Sequence, residues 1–171
     1  MTRLFNKWAG KMELWEQPTQ CDLCHSENIL LTTKYEATGR RNDAWPYIWF
    51  CNNCGAYVGC HVGTYSPLGH LAHDRRRFMR KQAHDVMDQI WLNGLMSRDR
   101  CYQWIGEQLG EPDPIHIGML TTSQLHKVIQ ICREYLQLKA KKIEKERRKH
   151  HESKRRERRR NHIQSVIRRK G

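Results

Sequence analysis

Seven cysteines stand in this chain, and four of them are spaced for one piece of chemistry. Cys21-Asp-Leu-Cys24 and Cys51-Asn-Asn-Cys54 are two C-x-x-C pairs with 26 residues between them. Two residues between cysteines let one tight turn aim both sulfurs at a single ion. Two such turns complete a tetrahedral thiolate shell with no position left for water. The pattern therefore predicts a structural Zn2+ on Cys21, Cys24, Cys51 and Cys54, a closed site rather than a catalytic one. Four thiolates in such a setting favour zinc over iron. Each turn wants a residue that tolerates positive φ after its second cysteine. Gly55 supplies this in the second pair and His25 occupies the same place in the first. Cys24-His25 also completes C-x-x-C-H, the haem attachment string. The second C-x-x-C explains the first pair better, and no export signal is recognisable near Met1.

The elements that must position these cysteines follow from the residues between them. Ile29 to Glu36 and Trp45 to Phe50 are rich in β-branched and aromatic residues, and Thr38 to Asp43 separates them with turn chemistry. This predicts a β-hairpin. A third short strand, Ala56 to Cys60, leaves the second turn, so the whole reads as a zinc ribbon. Trp45, Tyr47 and Trp49 alternate along one strand and share a face; they cover the ribbon's small core or stack on single-stranded bases. The loop Gly59 to Gly69 follows, with three glycines and one proline. It lacks the G-K-[ST] of a phosphate-binding loop, which leaves a glycine-rich connection whose His61 and Thr64 face a ligand in the functional reading.

Upstream, Leu4, Phe5, Trp8, Met12 and Trp15 fall at helical spacing, and Pro18 closes the segment. An amphipathic helix over residues 1–18 is predicted, packing as ordinary core or docking a partner protein through Trp8 and Trp15. Downstream, a helix over 74–92 buries Met79, Ala83, Val86, Met87 and Ile90, with His73 or Asp74 as cap and Asn93-Gly94 as its end. Its other face carries Arg75, Arg76, Arg77, Arg80 and Lys81, the phosphate-contacting candidates of the folded body. His84 and Asp88 lie one turn apart, as a surface hydrogen bond or a catalytic pair. A second helix over 98–109 has Ser97 as N-cap and Gly110 after its end, with Tyr102, Ile105 and Leu109 inward. Residues 115–120 read as extended. A third helix after Thr121 or Thr122 buries Leu125, Val128, Ile129, Cys132 and Leu136.

Charge divides the chain. The net charge of +13 comes almost wholly from residues 139–171, where 16 Lys and Arg face 4 Glu, against 15 and 14 in the remainder. This tail includes Arg147, Arg148, Lys154, Arg155, Arg156, Arg158, Arg159 and Arg160. No Pro or Gly breaks it before Gly171, yet it is too poor in apolar residues to stabilise itself by packing. The expectation is a frayed or disordered segment that becomes helical on a polyanion. No run approaches the roughly 20 apolar residues of a membrane span, and a cytoplasmic location is expected, where Cys60, Cys101 and Cys132 stay reduced.

Several strings, namely the C-x-x-C, WFCNNCGAYVGCHVGT, PLGHLA, AHDVMDQIW, Tyr102-Gln-Trp104 and His116-Ile-Gly118, resemble a family of small phage and prophage proteins with a zinc-finger-containing domain. The resemblance covers roughly residues 19–135, with His73 standing where the family carries an acidic residue. It implies zinc on Cys21, Cys24, Cys51 and Cys54 and implies no activity.

The sequence thus predicts an α+β chain: a terminal helix (1–18), a four-cysteine zinc ribbon (19–66), a helical module folded as a three-helix bundle (67–138) and a Lys/Arg-rich tail (139–171). The leading functional expectation is a phage-type nucleic-acid-binding protein acting in replication, transcription or host takeover. An adaptor or inhibitor of a host protein machine such as RNA polymerase is the alternative. A nuclease using His61, His84, Asp74 and Asp88 is the third reading, and no spacing among them matches a metal-nuclease motif.

Overall fold

The computed structural model describes residues 3–5, 13–111 and 115–168. Residues 1–130 and 131–171 form two compact units.

The first element departs from expectation. Where the N-terminal segment is described it is extended: Arg3–Phe5 (β1) pairs antiparallel with Glu13–Trp15 (β2), Arg3 opposite Trp15 and Phe5 opposite Glu13. Phe5 and Trp15, two members of the apolar spacing that reads as a helical stripe, are aromatic residues that suit a strand. Gly10 also withdraws about 1 kcal/mol from any helix through its centre.

Ile29–Thr33 (β3), Tyr47–Cys51 (β4) and Tyr57–Gly59 (β5) form an antiparallel sheet in the order β3-β4-β5, with Ile29 opposite Cys51, Thr33 opposite Tyr47 and Trp49 opposite Val58. The strand expected to reach Glu36 stops three residues earlier because Thr33 caps a short helix, Lys34–Thr38 (α1). The Thr33 hydroxyl accepts from the Glu36 N–H at 3.1 Å, and the Glu36 carboxylate accepts from the Thr33 N–H at 3.0 Å. This is the reciprocal T-x-x-E capping box, whose local bonds outcompete continuation of the strand.

The helices of the body fall where the sequence puts them. Asp74–Leu92 (α2) buries Met79, Ala83, Met87 and Ile90. Arg98–Leu109 (α3) starts on Ser97, whose hydroxyl accepts from the Arg100 N–H, and ends on Gly110 at φ 79°. His73 takes the N-cap position of α2 without a side-chain bond. Ile117–Met119 form one turn of 3-10 helix where an extended stretch is predicted. Thr121 and Gln124 then make a second reciprocal cap for Thr122–Arg168 (α4), which buries Leu125, Val128, Ile129 and Cys132. The segment expected to fray is helical through Arg168. Lys, Arg and Glu are good helix formers, and Arg148 with Glu144 and Arg156 with Glu152 add ion pairs one turn apart at 2.6 and 2.7 Å.

Candidate metal centre

The two C-x-x-C turns fold alike. In the first, the His25 N–H donates to the Cys21 carbonyl at 2.9 Å and the Cys21 N–H to the Ser26 carbonyl at 2.9 Å. In the second, the Gly55 N–H donates to the Cys51 carbonyl at 2.9 Å and the Cys51 N–H to the Ala56 carbonyl at 2.8 Å. The residue after each second cysteine is left-handed: Gly55 at φ 74° and His25 at φ 57°, the latter the single non-glycine residue with positive φ among those described. The position that sequence spacing assigns to a φ-tolerant residue is therefore adopted in both turns, at a steric cost in the first. Asn28 joins the turns, its backbone and side-chain oxygens accepting from the Asn52 backbone at 3.0 Å and amide at 3.2 Å.

This geometry brings the four sulfurs within 4.8 Å of one another. Cys21 lies 3.6 Å from Cys54 and Cys24 lies 3.6 Å from Cys51. A tetrahedron of sulfurs about 2.3 Å from a central Zn2+ has edges of about 3.8 Å, so the cluster has the dimensions of a zinc shell. Its chemistry agrees. Cys21 and Cys51 are fully buried at the edge of a small core of Trp49, Ala56, Val58, Cys60 and Leu71. Burial pushes the Cys54 thiol up to about 12, whereas hydrogen bonds from the Asn53 side chain and the Ser26 backbone bring Cys24 down to about 6. Thiolates bind the cation, and a closed four-sulfur shell gives that cation a structural role.

The ribbon is tied to the helical part by residues whose role spacing does not reveal. Asp22, between the two ligands of the first turn, accepts from the Leu71 N–H at 3.2 Å and pairs with His70 Nδ1 at 2.7 Å. Burial alone would raise its carboxyl, but the His70 contact holds it below its ordinary value. The strap around residues 67–72 bridges to the ribbon at Cys60–Pro67 and Tyr57–Ala72, and the His70 N–H donates to the Gly118 carbonyl at 3.0 Å. Gly69 and Gly118 meet backbone to backbone: a Cβ on either would overlap the main chain of the other's segment. The strings PLGHLA and His116-Ile-Gly118 are the two sides of this contact.

The basic face of α2 divides in two. Arg77 stacks on the Tyr57 ring with its guanidinium 3.5 Å from the centroid, and it donates to the Ala72 carbonyl and the Asp74 carboxylate. Arg80 donates to the His70 carbonyl at 3.0 Å and is pushed down to about 10 by burial. Arg77 clamps α2 to Tyr57 of the ribbon, and Arg80 clamps it to the strap at His70. Arg75 and Lys81 are exposed and Arg76 is half-buried. On the tail, Arg147, Arg148, Lys154, Arg155, Arg156, Arg158, Arg159 and Arg160 are all exposed.

The remaining candidates do not converge. Trp15 is half-buried and turns inward: its ring meets His116 edge-on at 5.6 Å, and its backbone N–H and carbonyl both bond the Ser66 hydroxyl, at 2.6 and 3.0 Å. These contacts are all within the chain. Trp8 lies outside the described residues. Asp88 accepts the Trp91 indole N–H at 3.0 Å, Asp74 holds Arg77, and His61 lines a cleft beside the ribbon. Among the described residues, the four cysteines are the one group of three or more His, Cys, Asp or Glu drawn together closely enough to hold a metal ion. No described helix is long and apolar enough to cross a membrane.

No curated protein and no solved structure is significantly similar to the chain. Over residues 17–135 the sequence does match a family described as a zinc-finger-containing domain. That span contains the four sulfurs, the core they border and both sides of the Gly69–Gly118 contact, and this chain belongs to that family.

Proposed function

We propose that the protein is a nucleic-acid-binding zinc ribbon in which the metal holds a reading platform and the basic helix supplies phosphate contacts. The observation that carries this reading is the segregation of charge. Residues 139–161, exposed apart from half-buried Lys139, hold 13 Lys and Arg against 4 Glu. Two of those four Glu are engaged by Arg148 and Arg156 in exposed pairs. Such pairs contribute about 0.3–0.5 kcal/mol each and leave the field of the segment strongly positive. From Lys139 to Arg160 the cations spread over about 33 Å of helix, and like charges held so close are relieved by a polyanion whose condensed counterions they release. Arg75, Arg76 and Lys81 offer a second, smaller set of cations on α2. Contacts of this kind give affinity without sequence readout. In this reading the protein acts in phage-type replication, transcription or host takeover, on the strength of the sequence resemblance.

The test titrates the zinc-loaded full chain with single-stranded DNA, duplex DNA and RNA at two salt concentrations, beside a variant with Arg155, Arg156, Arg158, Arg159 and Arg160 changed to Gln. The slope of log affinity against log salt should fall by about 0.7 to 0.9 for each phosphate contact removed. Equal affinity and equal slope for the two proteins would refute the reading.

A further inference from the structure

At the Tyr47 end of β4, away from Cys51 and its partners, the ribbon carries a cleft of about 440 Å³, lined by the segment 44–47 and the loop 60–65. This volume lies in the range of small-ligand sites, about 300–1,000 Å³. The composition is unusual for a surface loop. Trp45, Tyr47 and Tyr65 are 46%, 42% and 50% exposed, and Val62 is 62% exposed. The rings of Tyr47 and Tyr65 meet edge-on at 5.3 Å. Among the described residues, no ionised side chain lines the cleft.

The walls are fixed before any ligand arrives. The His61 N–H donates to the Ser66 carbonyl at 2.9 Å, and the Thr64 N–H to the His61 carbonyl at 3.0 Å. Buried Trp49 donates its indole N–H to the Tyr65 carbonyl at 2.8 Å, which pins the loop to the sheet, and the Cys60 N–H donates to the Tyr47 carbonyl at 3.3 Å. The His61 Nε2 is buried and has no hydrogen-bond partner among the described residues. Burial holds this imidazole in its neutral form, lowering its pKa from the ordinary histidine value.

Exposed aromatic rings around a preformed, uncharged cleft call for a flat, uncharged partner that can stack and also hydrogen-bond at its edge. The rest of the molecule says what such a partner is attached to. Exposed Arg40 and Arg41 lie in the connection that leads into Trp45. An uncharged aromatic cleft flanked by exposed arginines is complementary to a polyanion with neutral planar side groups. We infer that the cleft between residues 44–47 and 60–65 binds a base of a single-stranded nucleic acid, stacked against Trp45 and Tyr65 and presented to the His61 wall. The inference rests on the nucleic-acid reading above and names the part of the ligand that reading leaves open.

Two 12-mers of equal charge separate the base from the phosphates: a deoxythymidine oligonucleotide and an abasic one of the same length. Zinc-loaded full-length protein should bind the base-bearing strand about five- to a hundredfold more tightly, since stacking of each base on an aromatic side chain is a sequence-tolerant gain. Trp45→Ala and Tyr65→Ala should remove most of that preference while leaving abasic binding unchanged, and Trp45→Phe should keep it. Equal binding of the two 12-mers by the wild type overturns the base pocket and leaves the phosphate-binding reading standing. Failure to bind either overturns both. Thymidine monophosphate binding as tightly as the 12-mer overturns the assignment to a strand.

Discussion

Gly118→Ala is the substitution with which we would test the architecture. Its Cβ would overlap the Leu68 carbonyl, and the nearest atoms around it are the backbone of Leu68 and Gly69, which cannot rotate away as a side chain can. Relief requires the strap to move off the 3-10 turn. Overpacking of this kind costs about 1–3 kcal/mol. The shift also stretches the 3.0 Å bond from His70 N–H to the Gly118 carbonyl, worth about 0.5–1.5 kcal/mol. The sum is about 2–4 kcal/mol, a large part of the stability of a domain of this size. Urea unfolding of zinc-loaded protein, followed by tryptophan fluorescence, reads it directly as a lower midpoint at unchanged slope. Gly59→Ala is the control. Its Cβ would meet only the Leu68 Cδ1 at 3.4 Å, an ordinary contact with a flexible side chain, so it should stay within about 0.5 kcal/mol of wild type. A Gly118→Ala protein as stable as the Gly59→Ala control would refute the backbone-to-backbone docking of strap and turn.

Three further outcomes follow from the same geometry. Cys51→Ser should lose most zinc affinity, and chelation of wild type should abolish the near-ultraviolet signal of Trp49, because the ribbon's core is too small to hold without a metal whose binding contributes about 10 kcal/mol or more; one zinc per chain retained by Cys51→Ser contradicts this. Asp22→Asn should cost about 1–2 kcal/mol at pH 7 through weakened bonds to His70 and Leu71. The folded Asp22 carboxyl lies below its ordinary value, so the wild-type advantage is present above about pH 4 and disappears as pH falls through the folded value; an advantage that grows on acidification contradicts the pairing. Arg77→Lys should cost about 1 kcal/mol in thermal or urea unfolding, since an ammonium cannot both stack on Tyr57 and donate to Ala72 and Asp74; a neutral result would make Arg77 a surface cation like Arg75.

The metal centre is legible in the sequence because its rule is local. C-x-x-C fixes a turn, the residue after it must tolerate positive φ, and both His25 and Gly55 comply. α2 and α3 are legible for the same reason, with Ser97, Gly110 and the apolar stripe each acting within a few residues of itself. What escapes is of two kinds. One is local competition: Thr33-x-x-Glu36 is a capping box written in the sequence, but the β-branched run before it reads more loudly and extends the predicted strand. The other is long-range. Asp22 with His70, Arg77 on Tyr57, Trp15 on Ser66 and Gly69 against Gly118 join residues whose separations carry no periodic signal. Read alone, an arginine on a helix is a surface cation; only the fold turns Arg77 and Arg80 inward and leaves Arg75 and Lys81 facing water.

The Gly69–Gly118 contact also sets an order of assembly. The outermost pair of sulfurs, Cys21 and Cys54, is 33 residues apart, so the loop that must close around the ion is short and complete early. Gly118 is 64 residues beyond Cys54, and at about 5–20 residues per second of synthesis it leaves the ribosome some 3–13 s later. During that interval the two cysteine turns have the metal to fold around and no 3-10 turn to lean on. The 3-10 turn is therefore the last side of this contact to be made, and it docks onto a strap and a ribbon that were synthesised before it.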